Sequence, residues 1–68
     1  MAKVEYTKRG DIIVAERGEY RILFIPDDLG MKYRVQKMRR GKWTSIYYAG
    51  TAGECEIFIR KANYGKEN

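Results

Sequence analysis

The sequence predicts an α+β fold, a small antiparallel β-meander of about five short strands with one C-terminal helix packed on one face. Short runs of β-branched and aromatic residues alternate with glycine, proline and aspartate turn signals as far as Gly50. After Gly50 the apolar residues recur at helical spacing. The 68 residues are predicted to form a single domain, 1–68. Its core is expected to be thin, because a chain this short buries only about 60% of the surface that it exposes when unfolded.

The first half of the chain is expected to form three strands, at residues 3–8, 12–16 and 20–26. Gly10 and Gly18 separate them, since glycine is the usual residue where a turn needs positive φ. The third segment is the most apolar and is predicted to be the central strand. It ends at Pro26, because proline cannot donate to a strand ladder. The aromatic side chains of this half are interpreted as core residues: Tyr6, Tyr20 and Phe24.

Two more strands, at residues 32–38 and 42–48, are expected to form a hairpin through a two-residue loop, Arg40-Gly41. The cross-strand pairs are then Met38 with Trp43, Gln36 with Ser45, and Arg34 with Tyr47. These six side chains share the face of the hairpin that is predicted to point to solvent. The other face is more apolar and is predicted to pack under the helix: Tyr33, Val35, Ile46 and Tyr48.

The last element is a helix that is predicted to begin after Thr51, because Thr51 and Glu54 fit a capping box. An apolar stripe follows at positions i, i+3, i+4 and i+7: Cys55, Phe58, Ile59 and Ala62. The helix is expected to stop at residues 63–65. Cys55 is interpreted as a small core residue and not as a nucleophile. Ile57 lies away from the stripe and is predicted to be exposed.

The positive charge is concentrated in one segment of the chain. Of the 14 Lys and Arg residues, six lie within residues 29–53, where no Asp or Glu occurs. The remainder of the chain has eight basic and nine acidic residues, so the formal net charge of +5 arises from this segment. Clustered charge produces a local positive potential, which indicates a polyanionic partner more strongly than a high isoelectric point does.

The basic hairpin is therefore a candidate nucleic-acid-binding surface. Arg and Lys side chains contact phosphates, Arg also binds guanine edges, and Trp and Tyr rings offer planes on which bases stack. The candidate residues are Lys32, Arg34, Gln36, Lys37, Arg39, Arg40, Lys42, Trp43 and Tyr47. The competing interpretation is a solvated sheet face, on which Lys and Arg side chains cover apolar surface.

Enzymatic and metal chemistry are not expected from this composition. The chain has no histidine, one cysteine and one serine. It therefore lacks the usual sets for general acid–base catalysis, nucleophilic catalysis and zinc binding. No phosphate-binding glycine loop occurs, and no cofactor is expected. No signal peptide or membrane span is predicted, which favours a cytoplasmic protein with a reduced thiol.

The second half of the chain resembles one known family. A basic strand and tight turn, YRVQKMRRGKW, precede an aromatic strand, SIYYAGT, and a helix, AGECEIFIRKA. Residues 31–62 are thereby similar to the arm-type DNA-binding module of tyrosine recombinases (phage and transposon integrases). That module is a three-stranded sheet with one helix, and its outer sheet face enters the DNA major groove. The matching positions are Arg34, Trp43, Thr51, Glu54 and Phe58. The five predicted strands are two more than this module has, and the 68 residues leave no room for a catalytic domain, so the chain departs from the family in both respects.

Two other hypotheses remain open at the level of sequence. One is a phage or mobile-element protein-interaction module that docks on a host protein through the same face, since Trp, Tyr and Arg are enriched at interface hot spots. The other is a structural subunit of a homo-oligomer, such as a homodimer. Among nucleic acids, DNA is favoured over RNA. A steep salt dependence of binding would distinguish a nucleic-acid partner from the other two.

Overall fold

The computed structural model describes residues 4–66, which form one five-stranded antiparallel sheet and one helix. The elements are β1 (Glu5–Tyr6), β2 (Ile12–Arg17), β3 (Tyr20–Phe24), β4 (Tyr33–Arg39), β5 (Lys42–Ala49) and α1 (Ala52–Lys66). Each strand pairs with the next along the chain, so β3 is the central strand, as predicted. The predicted α+β meander is confirmed. Lys3, where the first strand is expected to begin, lies outside the described residues.

The core lies between the sheet and α1. Its buried side chains come from β3, β4, the end of β5 and the helix: Tyr20, Ile22, Val35, Ala49, Cys55 and Ile59. Phe58 and Ala62 pack against this cluster and complete the predicted helical stripe. Burial raises the pKa of the Cys55 thiol, and the neighbouring Glu54 and Glu56 raise it further. The thiol is therefore a neutral core group, in agreement with the sequence interpretation.

Thr51 caps the helix as the sequence predicts. The Glu54 backbone N–H donates to Thr51 Oγ1 at 3.2 Å, and the Thr51 hydroxyl lies 3.2 Å from Glu54 Oε2. The predicted stop at residues 63–65 is wrong, because α1 continues to Lys66. Asn63 and Gly65 are poor helix formers, but propensity is a weak signal that the surrounding structure often overrides.

The β4–β5 turn has the two-residue loop that the sequence predicts. Arg40 has φ 49° and Gly41 has φ 78°. Positive φ at both central residues defines a type I′ turn, whose twist matches that of the flanking strands. Arg39 pairs with Lys42 at the base of the turn, so three cations surround it. All three of these side chains are exposed.

A β-bulge divides the β4–β5 hairpin. Met38 pairs with Trp43 and Gln36 with Ser45, as predicted, but the next pair is Val35 with Tyr47. Ile46 is the extra residue, and it reverses the alternation of every side chain that follows it on β5. Arg34 consequently pairs with Tyr48 and not with Tyr47. A second bulge interrupts β2 at Val14, whose side chain is exposed.

Candidate nucleic-acid interface

The sheet face opposite α1 is covered by no helix among residues 4–66 and is here called the outer face. Alternation places Tyr20 and Ile22 of β3 in the core, so Arg21 and Leu23 lie on the other side of the strand. The side chains that β3, β4 and β5 contribute to the outer face are Arg21, Leu23, Arg34, Gln36, Met38, Trp43, Ser45 and Tyr48. Glu16 of β2 pairs with Arg21 and lies on the same side of the sheet. This face therefore combines cations, aromatic rings and an amide with one carboxylate beside Arg21.

Arg21 is fixed at the centre of the outer face by contacts across three strands. Its Nε donates to Gln36 Oε1 at 2.8 Å, and Gln36 Nε2 donates to Ser45 Oγ at 3.1 Å. Its guanidinium carbon lies 4.2 Å from the centroid of the Trp43 ring. Stacking on Trp and one hydrogen bond hold the guanidinium plane in place. Within residues 4–66 its two terminal nitrogens donate no hydrogen bond, although Glu16 faces Arg21 across β2 and β3.

Arg34 on the neighbouring strand also stacks on an aromatic ring, but without a hydrogen bond from its Nε. Its guanidinium carbon lies 4.9 Å from the centroid of the Tyr48 ring. Its Nε is buried and reaches no hydrogen-bond acceptor among residues 4–66. A buried donor without a partner costs about 1–3 kcal/mol. The Arg34 Nε–H is thus a charged donor on this face that has no hydrogen-bond acceptor among residues 4–66.

The electrostatics of the outer face reflect this arrangement. Burial lowers the pKa of the Arg21 guanidinium, and the charges of Glu16 and Asp11 act in the opposite direction. Arginine nevertheless stays protonated at any pH at which the protein is folded. The ion pair that the structure shows, Arg17 with Glu56 at 2.9 Å, joins β2 to α1 on the helix side. It therefore does not neutralise the outer face.

A cleft of about 450 Å³ opens beside this pair of arginines. Its floor is formed by outer-face side chains: Arg21, Leu23, Arg34, Gln36 and Trp43. Its wall is the end of β1 and the loop after it: Tyr6, Thr7, Lys8, Arg9 and Asp11. Thr7 organises that loop, because its Oγ1 accepts hydrogen bonds from the backbone N–H groups of Arg9 at 3.2 Å and Asp11 at 3.1 Å.

The structure brings six of the nine predicted site residues to the outer face or its hairpin tip. Arg34, Gln36 and Trp43 lie on the face. Arg39, Arg40 and Lys42 lie at the exposed tip. The tip is continuous with the face, because Met38 and Trp43 pair directly next to the pair Arg39–Lys42. Most of the predicted residues therefore lie on one continuous surface. The other three, Lys32, Lys37 and Tyr47, lie elsewhere.

The prediction that Tyr47 lies on the outer face is wrong. The Ile46 bulge turns it to the helix side, where its ring stacks on Phe58 with centroids 4.3 Å apart and planes at 11°. Tyr48, predicted to be in the core, takes the outer position instead and is 47% exposed. The two neighbouring tyrosines have exchanged roles because one extra residue changes the phase of a two-residue repeat.

Two predicted lysines are also located away from the outer face. Lys37 lies on the helix side of β4, with Nζ 5.5 Å from the centroid of the Tyr20 ring. Lys32 donates from Nζ to the backbone carbonyls of Pro26 at 2.9 Å and Asp28 at 3.0 Å. It therefore holds the β3–β4 loop together, and its charge is directed to carbonyl groups of that loop.

Sequence reasoning missed four side chains of this region. Arg21 was hidden in the most apolar strand, and Tyr6, Lys8 and Arg9 come from a segment with balanced charge. The alternation of YRILF contained a signal for Arg21, since Tyr20, Ile22 and Phe24 would take the opposite face. Tyr6, interpreted as a core residue, is 60% exposed. Its proximity to the arginines depends on the path of β1, which local periodicity does not report.

Among residues 4–66 no helix is long and apolar enough to cross a membrane. No protein-family model, curated protein or solved structure matches this chain significantly. The resemblance of residues 31–62 to the arm-type modules of tyrosine recombinases therefore stays a prediction. The functional argument rests on the geometry of the outer face.

Proposed function

We propose that this protein is a small non-enzymatic nucleic-acid-binding module that uses the outer face and the β4–β5 turn. The observation that supports this most directly is the pair of ring-stacked guanidiniums, Arg21 on Trp43 and Arg34 on Tyr48. Both guanidiniums are held on the outer face. This arrangement provides charge and flat apolar surface together, which is the combination that a nucleic-acid strand requires.

The outer face suits a nucleic-acid strand better than it suits a simple polyanion. Tyr48 is 47% exposed beside the Arg34 guanidinium, and Trp43 is partly exposed at the edge nearer the turn. Rings and guanidinium planes both stack on bases, and each base stacked on an aromatic ring contributes about 1–3 kcal/mol. A polyanion without bases would gain nothing from these rings.

The turn extends the positive surface beyond the sheet. Arg39, Arg40 and Lys42 are exposed and surround the type I′ turn. Such side chains contact backbone phosphates with little dependence on sequence, and a two-stranded ribbon fits the major groove of DNA. DNA is favoured over RNA as the partner on the resemblance stated above.

Salt-dependent titration tests this function. Labelled single- and double-stranded oligonucleotides are titrated at two or three salt concentrations between about 50 and 200 mM, and each phosphate contact adds about 0.7–0.9 to the log–log slope. Arg40→Gln should lower affinity for all sequences alike and reduce the slope by roughly one unit. Trp43→Ala should weaken single-strand binding by about 1–3 kcal/mol with little change in slope.

A matched control separates a local effect from net charge. Lys61→Gln removes one exposed cation from α1, on the opposite side of the sheet. It should leave affinity and slope close to those of the unaltered protein. Equal losses in Lys61→Gln and Arg40→Gln would mean that net charge and not this face governs binding. Failure of the folded protein to bind either oligonucleotide at low salt would contradict the proposed function.

One observation favours the alternative of docking on a protein. Leu29 is 100% exposed and Met31 is 52% exposed, both in the β3–β4 loop. Two exposed apolar side chains this close in sequence can contribute to one apolar patch, and contiguous apolar patches mark protein contact sites. A pull-down from lysate, with and without nuclease treatment, distinguishes the two functions. A protein partner that is retained after nuclease treatment and lost in Leu29→Ser would favour protein docking. If the protein instead associates with copies of itself, loss of that association in Leu29→Ser would also favour a protein contact through this loop.

A further inference from the structure

We propose that the cleft beside Arg21 and Arg34 is a phosphate-binding subsite, which holds one phosphate group of the nucleic acid bound on the outer face. This inference rests on the proposed function, but it assigns a specific task to a part of the surface that the basic hairpin does not include. The ligand chemistry is a phosphate, which belongs either to the backbone of a strand or to its 5′ terminus.

Cations converge on the cleft from two separate parts of the chain. Arg21 and Arg34 lie on its floor, while Lys8 and Arg9 lie on the wall formed by the β1–β2 loop. One carboxylate, Asp11, also lines the cleft and opposes an anion. A second carboxylate, Glu16, faces Arg21 across β2 and β3. Four cations against two carboxylates still leave an excess of positive charge at the cleft.

The size of the cleft suits a phosphate with part of its nucleotide. A volume of about 450 Å³ lies in the lower part of the usual range for small-ligand sites, about 300–1,000 Å³. The partly exposed Trp43 ring gives the floor an apolar part beside the cations, whereas the Leu23 side chain is only 1% exposed. A sugar or base attached to the phosphate therefore has apolar surface to contact within the same cleft.

The floor is already arranged before a ligand binds. Arg21 is held by Gln36 and Trp43, so its terminal nitrogens need little reordering to meet an anion. Arg34 differs, since its buried Nε has no acceptor among residues 4–66. Its terminal nitrogens meet the phosphate first, and a small rotation of the side chain would also give Nε an oxygen acceptor.

A stability measurement separates this role from a structural one. Arg34→Met keeps an unbranched apolar stem over Tyr48 and removes the unsatisfied donor. If Arg34 serves a ligand, Arg34→Met should be as stable as the unaltered protein or more stable, and should bind phosphate worse. If Arg34 instead holds the fold together, Arg34→Met should melt at a clearly lower temperature, and this result would count against the subsite.

The direct test is an NMR titration with inorganic phosphate at constant ionic strength, with chloride as the matched anion. The backbone N–H signals of residues 7–11, the Arg21 Nε–H signal and the Trp43 indole signal should shift saturably with phosphate only. Arg34→Met should weaken this binding by about tenfold or more, and Arg34→Lys by less, because lysine keeps the charge but not the paired donors. Lys61→Met removes a cation from α1 and should change nothing.

Oligonucleotides then identify the source of the phosphate. Tighter binding of a 5′-phosphorylated strand than of its 5′-hydroxyl form, with the difference lost in Arg34→Met, assigns the subsite to a terminal phosphate. Equal binding of the two strands, weakened alike by Arg34→Met, assigns it to a backbone phosphate. No saturable shift, or the same shifts in Arg34→Met, overturns the subsite.

The two proposals can fail separately. Salt-dependent oligonucleotide binding that is unaffected by Arg34→Met would refute the subsite and leave the proposed function intact. A saturable phosphate response in a protein that binds no oligonucleotide would refute the function and leave an anion site. Tighter binding of a phosphoserine peptide than of any oligonucleotide would assign the cleft to a protein ligand and contradict the nucleic-acid assignment.

Discussion

At the scale of single residues, Arg40 is the non-glycine residue that has a positive φ among residues 4–66. Its φ of 49° lies in the left-handed region, which costs a residue with a Cβ about 1–2 kcal/mol. Asn or Asp before Gly is the combination that type I′ turns prefer. The turn therefore presents a cation at its tip at some cost to stability, as expected where a side chain serves binding.

Arg40→Asn should accordingly raise the free energy of unfolding by about 0.5–1 kcal/mol. The control is Arg40→Gln, which removes the same charge without the preference for positive φ and should leave stability nearly unchanged. Both variants should lose nucleic-acid affinity to a similar extent. Urea denaturation measures the stabilities. If Arg40→Asn raises the free energy of unfolding no more than Arg40→Gln does, the turn is not strained.

At the scale of elements, the bulge at Ile46 decides what the β4–β5 hairpin presents on each side. It places Tyr47 against Phe58 under the helix and Tyr48 on the outer face beside Arg34. The helix is thus anchored by an aromatic stack in addition to its aliphatic contacts. Aromatic pairs contribute about 0.5–1.5 kcal/mol beyond the burial of their area.

Phe58→Ala should destabilise the protein by about 2–3 kcal/mol, below the range for a fully buried phenylalanine because Phe58 is only partly buried. For a small domain this is a large share of the total stability. Ile57→Ala is the matched control one residue away. Ile57 is 51% exposed, so its truncation should change stability by no more than about 0.5 kcal/mol. Similar losses in both variants would contradict the assignment of the two helix faces.

At the scale of the whole molecule, the two sides of the sheet present different kinds of side chain. One side packs on α1 and contains most of the buried residues that stabilise the fold. The other side buries Leu23 and, together with the turn, presents the cations and rings. The ion pair of Arg17 with Glu56 lies on the helix side, away from the outer face. Ligand binding to the outer face should therefore stabilise the folded protein without rearrangement of its core.

A nucleic-acid ligand at about 100 times its Kd should stabilise the folded state by about 2.7 kcal/mol. In a domain of this size, each kcal/mol raises Tm by about 4–8 °C. Thermal melts at low salt should thus show a rise of about 10–20 °C for the unaltered protein and for Lys61→Gln. The triple variant Arg39→Gln/Arg40→Gln/Lys42→Gln should show a much smaller rise at the same ligand concentration. An equal rise in the triple variant would exclude the turn from the binding surface.

Local sequence was sufficient for most of the fold. Glycine and proline positions located the turns, the apolar spacing after Gly50 located the helix and its buried stripe, and Arg40-Gly41 located the hairpin loop. These features depend on interactions within a few residues, which a single sequence displays. The same reasoning placed Trp43, Gln36 and Arg34 on the correct face. Trp43 and Gln36 lie between the turn and the bulge, and the bulge is on β5, so it leaves the alternation of Arg34 along β4 unchanged.

The tertiary structure alone decided the rest. A bulge has no clear local signature, so the exchange of Tyr47 and Tyr48 was not visible in the alternation of β5. Arg21 and the β1–β2 loop join the candidate site only because the meander brings β3 and the end of β1 beside β4. Sequence by itself determined the elements, the stripe of the helix and the acid-free basic segment. Which side chains meet across strands was decided by the packing of the sheet, since those contacts join residues far apart in the chain.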